Sequence, residues 1–188
     1  MKVNDLKAKL ARHLMALSYV QGEVTLTSGR KSDYYFDCKQ TALHPEGGFL
    51  IGKLFLSMLK GTDARGVAGM TLGADPLVSA VSVLSHLDGC PLPAMIIRKA
   101  SKGHGTDQYL EGLKNFQKGA TVALLEDVVT TGGTLVTAAE RLRAAGFNVG
   151  AVLCVLNREE GGPERLAGAG LKLESIFTRN ELLAAARG

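Results

Sequence analysis

The chain has 188 residues, of which 46% are hydrophobic and 21% charged, so it is long enough for about one domain, and intrinsic disorder and fibrous repeats are excluded. Its three cysteines have no paired spacing, which argues against a disulfide framework and a thiolate zinc site. The net charge of +4 hints at an anionic partner without naming it, and the absence of long apolar runs predicts a cytoplasmic protein with no membrane partner.

The first 61 residues predict two helices separated by a small extended element. Asn4 can cap the first helix, whose apolar positions recur at helical spacing: Leu6, Leu10, Leu14 and Leu17. Residues 24–38 predict two short extended segments joined by a turn. Pro45 suits the first turn of the second helix, which ends near Gly61.

Beyond this point, short apolar strands alternate with helices. Strands are predicted at 66–69, 94–98, 121–125, 149–156 and 171–177, and helices at 76–87 and 134–145, with a last helix that Thr178 and Glu181 begin as a capping box. The alternation predicts an α/β fold, with a Rossmann-like parallel sheet covered by helices on both faces. Residues 99–115 are polar and glycine-dotted, which predicts a mobile functional segment. We expect a single domain over 1–188, with an N-terminal helix and hood element over 1–40 and an α/β core over 41–188.

In such folds ligands bind beyond the carboxyl ends of the strands. The candidate ligand-binding loops are therefore residues 70–75, 98–106, 126–134 and 157–162. In the third of these loops, Glu126 and Asp127 end a strand and a hydroxyl- and glycine-rich turn opens a helix: Thr130, Thr131, Gly132, Gly133 and Thr134. Amides and hydroxyls at a helix N-terminus suit a phosphate monoester, while the two carboxylates must face sugar hydroxyls, a metal or a developing cation. The alternative is an acidic strand end before an ordinary helix cap. A Walker-type nucleotide loop is excluded because no lysine follows the glycines.

The second of these loops is basic. Arg98, Lys99, Lys102 and His104 fall within seven residues, and no carboxylate occurs between Asp88 and Asp107. Such a segment suits a diphosphate or triphosphate group. The alternative is a solvated basic loop that contacts nucleic acid.

These motifs carry a family resemblance that covers residues 5 to 180. The acid pair followed by Val128, Val129 and the turn resembles the phosphoribosyl diphosphate signature of the type I phosphoribosyltransferases. The order of the basic loop, Arg-Lys-x-x-Lys-x-His-Gly, resembles the catalytic loop of the orotate phosphoribosyltransferase family. Residues 25–36 are similar to the hood of that family, Gly73-Ala74-Asp75-Pro76 to its diphosphate-binding turn, and Asn157-Arg158-Glu159 to the strand end where an arginine pairs with the orotate carboxylate.

The resemblance implies transfer of ribose 5-phosphate from 5-phosphoribosyl 1-diphosphate to orotate, in pyrimidine (UMP) biosynthesis. It implies catalytic roles for Lys99, Lys102 and Asp127. The implied phosphoribosyl diphosphate site adds Arg98, His104, Glu126, Val128, Val129, Thr130, Thr131, Gly132, Gly133, Thr134, Gly73, Ala74 and Asp75. The implied orotate site contains Thr130, Arg158, Tyr35 and Phe36. It further implies Mg²⁺, held mainly by substrate oxygens and water with no firm side-chain ligand, and a homodimer that shares the 98–106 loop; no nucleic-acid partner is expected.

The chain departs from the family pattern at three places. Thr27 stands where some members have lysine, Gly73-Ala74 where some have a Tyr-Lys pair, and Glu126 where aspartate is common. Core packing is the alternative role for Tyr35 and Phe36, and a surface pair with Glu159 or Glu160 is the alternative for Arg158. The alternative functions are transfer to another base, or a non-catalytic nucleotide-sensing, RNA-binding regulator of the same fold.

Overall fold

The structure is a computed structural model that describes residues 2–25, 31–101 and 109–185, with the backbone alone described for 23–25, 31–33 and 185. Residues 26–30, which include Thr27, lie outside the described residues, as do Lys102 and His104.

Seven helices and eight strands form the described part of the chain. In order they are α1 (Val3–His13), β1 (Tyr19–Thr25), β2 (Lys31–Phe36), α2 (Cys38–Ala42), α3 (Pro45–Leu59), β3 (Val67–Met70), α4 (Asp75–Leu87), β4 (Ala94–Ile97), β5 (Leu110–Glu111), β6 (Thr121–Val129), α5 (Gly133–Ala144), β7 (Asn148–Asn157), α6 (Gly162–Gly168), β8 (Leu173–Thr178) and α7 (Arg179–Ala185). A π-helical turn, Leu14–Ser18, follows α1, and a 3-10 turn, Leu113–Asn115, follows β5.

Six strands form the central sheet in the order β5-β4-β3-β6-β7-β8. All neighbouring pairs are parallel except β4 and β5, which are antiparallel. The predicted α/β class is therefore confirmed, with one antiparallel edge strand that the alternation of strands and helices did not predict. β5 has two residues inside the polar 99–115 segment, which is too short for a strand pattern.

Two hydrophobic cores flank this sheet, because the strands are apolar on both faces. Leu125 of β6 packs in the same core as Leu50 of α3 and Val81 of α4. Its neighbour Leu124 faces the other core, with Leu142 of α5. The covering of both faces by helices agrees with the prediction.

The N-terminal region differs from the prediction in its boundaries. Lys2, not Asn4, occupies the N-cap position of α1, and no side chain caps this helix. Leu14 is buried as expected, but Leu17 is exposed because the π-helical turn rotates it away from the core. β1 begins at Tyr19, five residues before the predicted extended segment. Of the three cysteines, Cys38 and Cys154 are buried and Cys90 is exposed.

β1 and β2 form an antiparallel hairpin in which Tyr19 pairs with Phe36 and Val20 with Tyr35. Tyr34 and Phe36 share the inner face of the hairpin and belong to the same buried cluster as Leu10. The hairpin is therefore packed onto the helices that cover the sheet. The extent of the domain, 1–188, stays a prediction.

Several predicted boundaries are confirmed closely, and others shift by a few residues. The capping box of α7 is present, since the Thr178 amide donates to Glu181 Oε2 at 2.7 Å and the Glu181 amide to Thr178 Oγ1 at 3.3 Å. β6 runs four residues beyond its predicted end and reaches Val129. The short helices α2 and α6 were not predicted. Among the described helices, none has the length and apolar character needed to cross a bilayer.

Candidate active site

A cavity of about 540 Å³ opens at the carboxyl ends of the central strands, where the fold predicts a ligand. All four predicted loops contribute to it, together with β2 and α2. The lining residues are Tyr35, Phe36, Lys39, Met70, Thr71, Leu72, Gly73, Lys99, Glu126, Asp127, Val128, Val129, Thr130, Thr131, Gly132, Gly133, Thr134, Leu135 and Arg158.

The acid pair, Glu126 and Asp127, lies near the carboxyl end of β6. Burial raises the pKa of Glu126 well above its usual value, and the negative charge of Asp127 raises it further. The Asp127 amide donates to Glu126 Oε1 at 3.1 Å, and the Val128 amide donates to Asp127 Oδ1 at 2.8 Å. The raised pKa favours the proton on Glu126, which reduces the electrostatic repulsion between the two carboxyl groups.

The phosphate turn, residues 130–134, joins the acid pair to α5. Gly132 occupies the N-cap position in the left-handed region, with φ of 75°, and no side chain caps the helix. The first amides of α5 are therefore available to an anion at the positive end of the helix dipole. A β-carbon on Gly132 would also lie 3.1 Å from the Gly162 carbonyl oxygen, so close packing against α6 adds to the need for glycine.

The turn after β3 supplies another wall of the cavity. Its Thr71–Leu72 peptide bond is cis, and Thr71 Oγ1 donates to Asp75 Oδ2 at 2.8 Å. Gly73 lines the cavity, whereas Ala74 is fully buried beneath the turn and Asp75 begins α4. Of the three predicted residues in this turn, the structure therefore brings only Gly73 to the cavity wall.

Arg158 follows β7 and is 4% exposed. Its Nε lies 3.0 Å from Glu160 Oε1, and the two groups form an ion pair whose geometry is not that of a hydrogen bond. Its Nη2 donates to Tyr34 Oη at 3.4 Å. The alternative pairing of Arg158 with Glu160 therefore exists, but it is buried rather than on the surface. Glu159 takes a left-handed conformation with φ of 59°, and its amide donates to Asn157 Oδ1 at 2.9 Å.

The aromatic residues of β2 divide between the two faces of the hairpin. Phe36 is 2% exposed and both lines the cavity and packs in the core, while Tyr35 is 37% exposed. Core packing and cavity lining are thus not exclusive for Phe36. Tyr34, which the sequence analysis did not select, is the aromatic residue in contact with Arg158.

The structure separates the two described cations of the basic loop. Lys99 lines the cavity. The Arg98 guanidinium lies outside the cavity wall, where Nη1 is 3.3 Å from Glu111 Oε1 and Nε donates to the Ala100 carbonyl at 3.4 Å. The predicted roles of Lys102 and His104 fall outside the described residues.

Lys39 is a cavity residue that the sequence analysis missed. It lies on α2, away from the strand-end loops, and its Nζ is 2.6 Å from Asp37 Oδ1. The hydrogen bond to Asp37 raises the pKa of Lys39, and the charge of Asp127 adds to this effect. Burial raises the pKa of Asp37, but hydrogen bonds from Lys39 and Gln40 outweigh burial, so its net pKa is lowered. A single lysine on a five-residue helix belongs to no sequence motif, so the sequence does not predict that Lys39 lines the cavity.

The carboxylate oxygens of the cavity supply only part of the ligands that a hard cation such as Mg²⁺ needs. Glu126 and Asp127 supply carboxylate oxygens to the cavity. Within residues 2–25, 31–101 and 109–185, no three His, Cys, Asp or Glu side chains cluster as a metal centre. A magnesium ion held by one or two carboxylates and by substrate phosphates is compatible with this arrangement.

The fold, the acid pair and the phosphate turn together define a phosphoribosyltransferase, and residues 67–174 match the family model described as phosphoribosyl transferase domain. A curated orotate phosphoribosyltransferase from Nostoc sp. is 49% identical over 180 residues, which cover 96% of this chain and 86% of that protein. The chain belongs to the orotate phosphoribosyltransferase family.

Solved structures agree with this assignment. The orotate phosphoribosyltransferase of Mycobacterium tuberculosis H37Rv in complex with Fe(III) dicitrate superposes with a TM-score of 0.83 at 36% identity, covering 94% of this chain and 98% of that chain. The same enzyme in complex with 5-phospho-alpha-D-ribosyl 1-diphosphate gives a TM-score of 0.78 at 33% identity, over 94% and 98% of the two chains. The predicted type I phosphoribosyltransferase fold is therefore confirmed.

Proposed function

We propose that the protein transfers ribose 5-phosphate from phosphoribosyl diphosphate to N1 of orotate, releasing orotidine 5'-monophosphate and diphosphate in UMP biosynthesis. The main supporting observation is that one cavity holds an acid pair, an uncapped helix N-terminus and a buried arginine. These three features match the three parts of the reaction: a sugar that becomes cationic, a phosphate and a carboxylate. The complex of the Mycobacterium tuberculosis relative with 5-phospho-alpha-D-ribosyl 1-diphosphate supports the same donor.

The acid pair is assigned to the ribose. As the bond from C1 to diphosphate stretches, positive charge develops on the ring, as in glycoside hydrolysis. Asp127 supplies a negative charge near this ring, and Glu126 lies beside it, where it can hydrogen-bond a ribose hydroxyl. The raised pKa of Glu126 favours its proton, which reduces the repulsion between the acid pair and the donor's phosphates.

The phosphate turn is assigned to the 5'-phosphate. The first amides of α5 and the hydroxyls of Thr130, Thr131 and Thr134 supply donors at one end of the cavity. Gly132 and Gly133 permit close approach of the backbone. The phosphate thus anchors the donor while C1 faces the base.

Arg158 is assigned to the orotate carboxylate. Its guanidinium is buried, so a charge-assisted pair with the carboxylate is only weakly screened by water. Tyr35, Phe36 and Thr130 line the same cavity and would border the pyrimidine. Uracil lacks the carboxylate, which makes Arg158 the residue that separates the two bases.

The departing diphosphate is assigned to the basic side chains. Lys99 and Lys39 both line the cavity, and the basic loop adds Lys102 and His104 as sequence predictions. Mg²⁺, held mainly by substrate oxygens and water, would neutralise charge on the diphosphate as it leaves. Roles for Arg98, Ala74 and Asp75 at this group stay predictions, because these residues do not line the described cavity.

A homodimer that shares the 98–106 loop, and a cytoplasmic location, are further proposals. The resemblance to the family supports the dimer, and large apolar side chains are exposed on and beside α4, at Leu72, Val83 and Leu87. Light scattering after size exclusion measures the assembly, and a monomer at micromolar concentration would contradict it.

The experiment that tests the function is a base panel with phosphoribosyl diphosphate and Mg²⁺. We expect diphosphate release with orotate and little with uracil, adenine or hypoxanthine. The consumption of orotate is measured in parallel by spectrophotometry. Release with a purine but not with orotate would establish the alternative of another base. The absence of release with every base, by a protein that still binds nucleotide, would favour the regulator.

A further inference from the structure

Arg141 connects the phosphate-binding helix to the basic loop. It lies on α5, and its Nη1 donates to the Arg98 carbonyl while Nη2 donates to the Lys99 carbonyl at 3.2 Å. Its guanidinium carbon lies 4.0 Å from the centre of the Tyr109 ring. One half-buried side chain thus contacts residues before and after the 102–108 segment.

The residues on the two sides of the 102–108 segment are also joined directly. The Arg98 amide donates to the Tyr109 carbonyl at 2.7 Å, next to the pairing of Ile97 with Leu110. Arg141 packs on this junction from the side of α5, and its Nη1 also approaches Met70 Sδ at 3.7 Å. The guanidinium therefore contacts β3 and the residues on both sides of the 102–108 segment.

We propose that Arg141 is a positioning residue, which fixes Lys99 at the correct distance from the phosphate turn. This inference rests on the proposed function, in which Lys99 faces the diphosphate and the turn binds the 5'-phosphate of the same substrate. Arg141 is eight residues beyond Gly133, about 12 Å along a rigid helix axis. A single helix thus sets the spacing between two anion sites.

The chemistry requires arginine at this position. A planar guanidinium donates to two successive carbonyl groups and stacks on an aromatic ring at the same time. Lysine carries the same charge on one tetrahedral nitrogen, which lacks the planar fork that contacts two carbonyl groups and a ring face together. The role of Arg141 is therefore geometric rather than a matter of net charge.

Arg143 provides a matched control on the same helix. Its two terminal nitrogens donate to the Ala169 carbonyl at 3.3 and 3.4 Å, and it does not line the cavity. Arg141→Ala and Arg143→Ala each remove one guanidinium whose two terminal nitrogens bind backbone carbonyl groups. The carbonyl groups lost by Arg141→Ala belong to Arg98 and Lys99 in the basic loop, whereas the carbonyl lost by Arg143→Ala belongs to Ala169.

The test compares both variants and Arg141→Lys with wild type. We expect Arg141→Ala to lower kcat/KM for phosphoribosyl diphosphate about tenfold or more, with little change in KM for orotate, and Arg143→Ala to stay within about twofold of wild type. Arg141→Lys should recover only part of the loss, and added guanidinium chloride at millimolar concentration should restore Arg141→Ala but not Arg143→Ala. Thermal unfolding of all three variants shows how much of each change is a loss of folding.

Titration calorimetry with inorganic diphosphate measures the same positioning without turnover. Weaker binding by Arg141→Ala than by Arg143→Ala supports the role. An active wild type together with equal kinetics and equal diphosphate affinity in the two alanine variants overturns the positioning role alone. A wild type that turns over no base and binds no diphosphate overturns the proposed function and this role together.

Discussion

Gly73 and Asp127 approach so closely that no side chain fits between them. A β-carbon built on Gly73 would lie 2.7 Å from Asp127 Cγ and from both carboxylate oxygens. Gly73 is not among the glycines with positive φ, so space and not backbone conformation requires glycine here. The turn after β3 and the end of β6 therefore form a single wall in which the backbone borders the carboxylate.

Gly73→Ala should displace the Asp127 carboxylate. The added methyl group overlaps all three carboxyl atoms, so either the turn or Asp127 must shift by several tenths of an ångström. We expect kcat/KM for phosphoribosyl diphosphate to fall about tenfold to a hundredfold, since misplacement of a reacting group is costly. Steady-state kinetics with orotate in excess measure this loss.

Gly168→Ala is the matched control, because a β-carbon at Gly168 meets no atom within 4 Å and its φ is not positive. It should retain wild-type kinetics. Wild-type kinetics in Gly73→Ala as well would show that the position of Asp127 does not limit the reaction.

Glu126→Gln should change how stability depends on pH. Burial, and then the charge of Asp127, raises the pKa of Glu126 well above 4.5. Between 4.5 and the raised value the folded protein holds a proton that the unfolded chain has released, so the free energy of unfolding falls as pH increases. The variant lacks this loss, so its stability relative to wild type should improve as the pH rises above 4.5, as urea unfolding at a series of fixed pH values would measure.

Glu140→Gln, an exposed substitution on α5, is the control and should run parallel to wild type. Parallel curves for Glu126→Gln and wild type across the whole range would contradict the raised pKa.

The elements that the sequence predicted share one property: they are long, apolar and regular. The strands β3, β6 and β7 are buried on both faces, so their hydrophobic runs are visible without knowledge of their neighbours. β5, by contrast, exists because two residues pair with β4, with Ile96 opposite Glu111. Its stability comes from a tertiary contact that no local pattern encodes.

The site divides in the same way. The rule that ligands bind at the carboxyl ends of strands located the acid pair, the phosphate turn and Arg158. Lys39 lines the cavity from α2, and Arg141 contacts Arg98 and Lys99 from α5, so no strand-end loop contains either residue. The alternation of side chains along β2 places Tyr34 and Phe36 on the same, inner face of the strand. This alternation is the sequence signal that could have identified Tyr34, which contacts Arg158.

Arg158→Ala should abolish the preference for orotate. The variant loses a charge-assisted pair in a buried setting, worth about 2 to 4 kcal/mol, or roughly 30-fold to 1,000-fold in kcat/KM. Arg158→Lys keeps the charge but not the paired donors, so it should recover only part of the preference. The ratio of kcat/KM for orotate to that for uracil measures the effect.

Uracil is the internal control, since a general loss of folding lowers activity with both bases equally. An unchanged ratio in Arg158→Ala would remove Arg158 from the recognition of the carboxylate. Thermal unfolding measures separately how much stability Arg158→Ala loses with the Glu160 ion pair and the Tyr34 contact.

Lys39→Met should weaken binding of phosphoribosyl diphosphate. Lys39 lines the cavity beside Asp127, and loss of its charge leaves Lys99 and Arg158 as the lysine and arginine side chains of the described cavity wall. We expect KM for phosphoribosyl diphosphate to rise about threefold to tenfold, with a smaller change in kcat, because a partly exposed cation contributes about 1 kcal/mol to binding an anion. Raising the ionic strength should reduce the difference from wild type.

Lys53→Met separates this role from the ion pair. The Lys53 and Lys39 ion pairs have the same length, 2.6 Å to Asp88 and Asp37, and similar side-chain exposure, 28% and 33%. Lys53 lies on α3 and does not line the cavity. Both variants should lose comparable stability, but only Lys39→Met should raise KM, because only Lys39 combines the ion pair with a place in the cavity. Equal KM values in the two variants would mean that Lys39 serves only to hold α2 against Asp37.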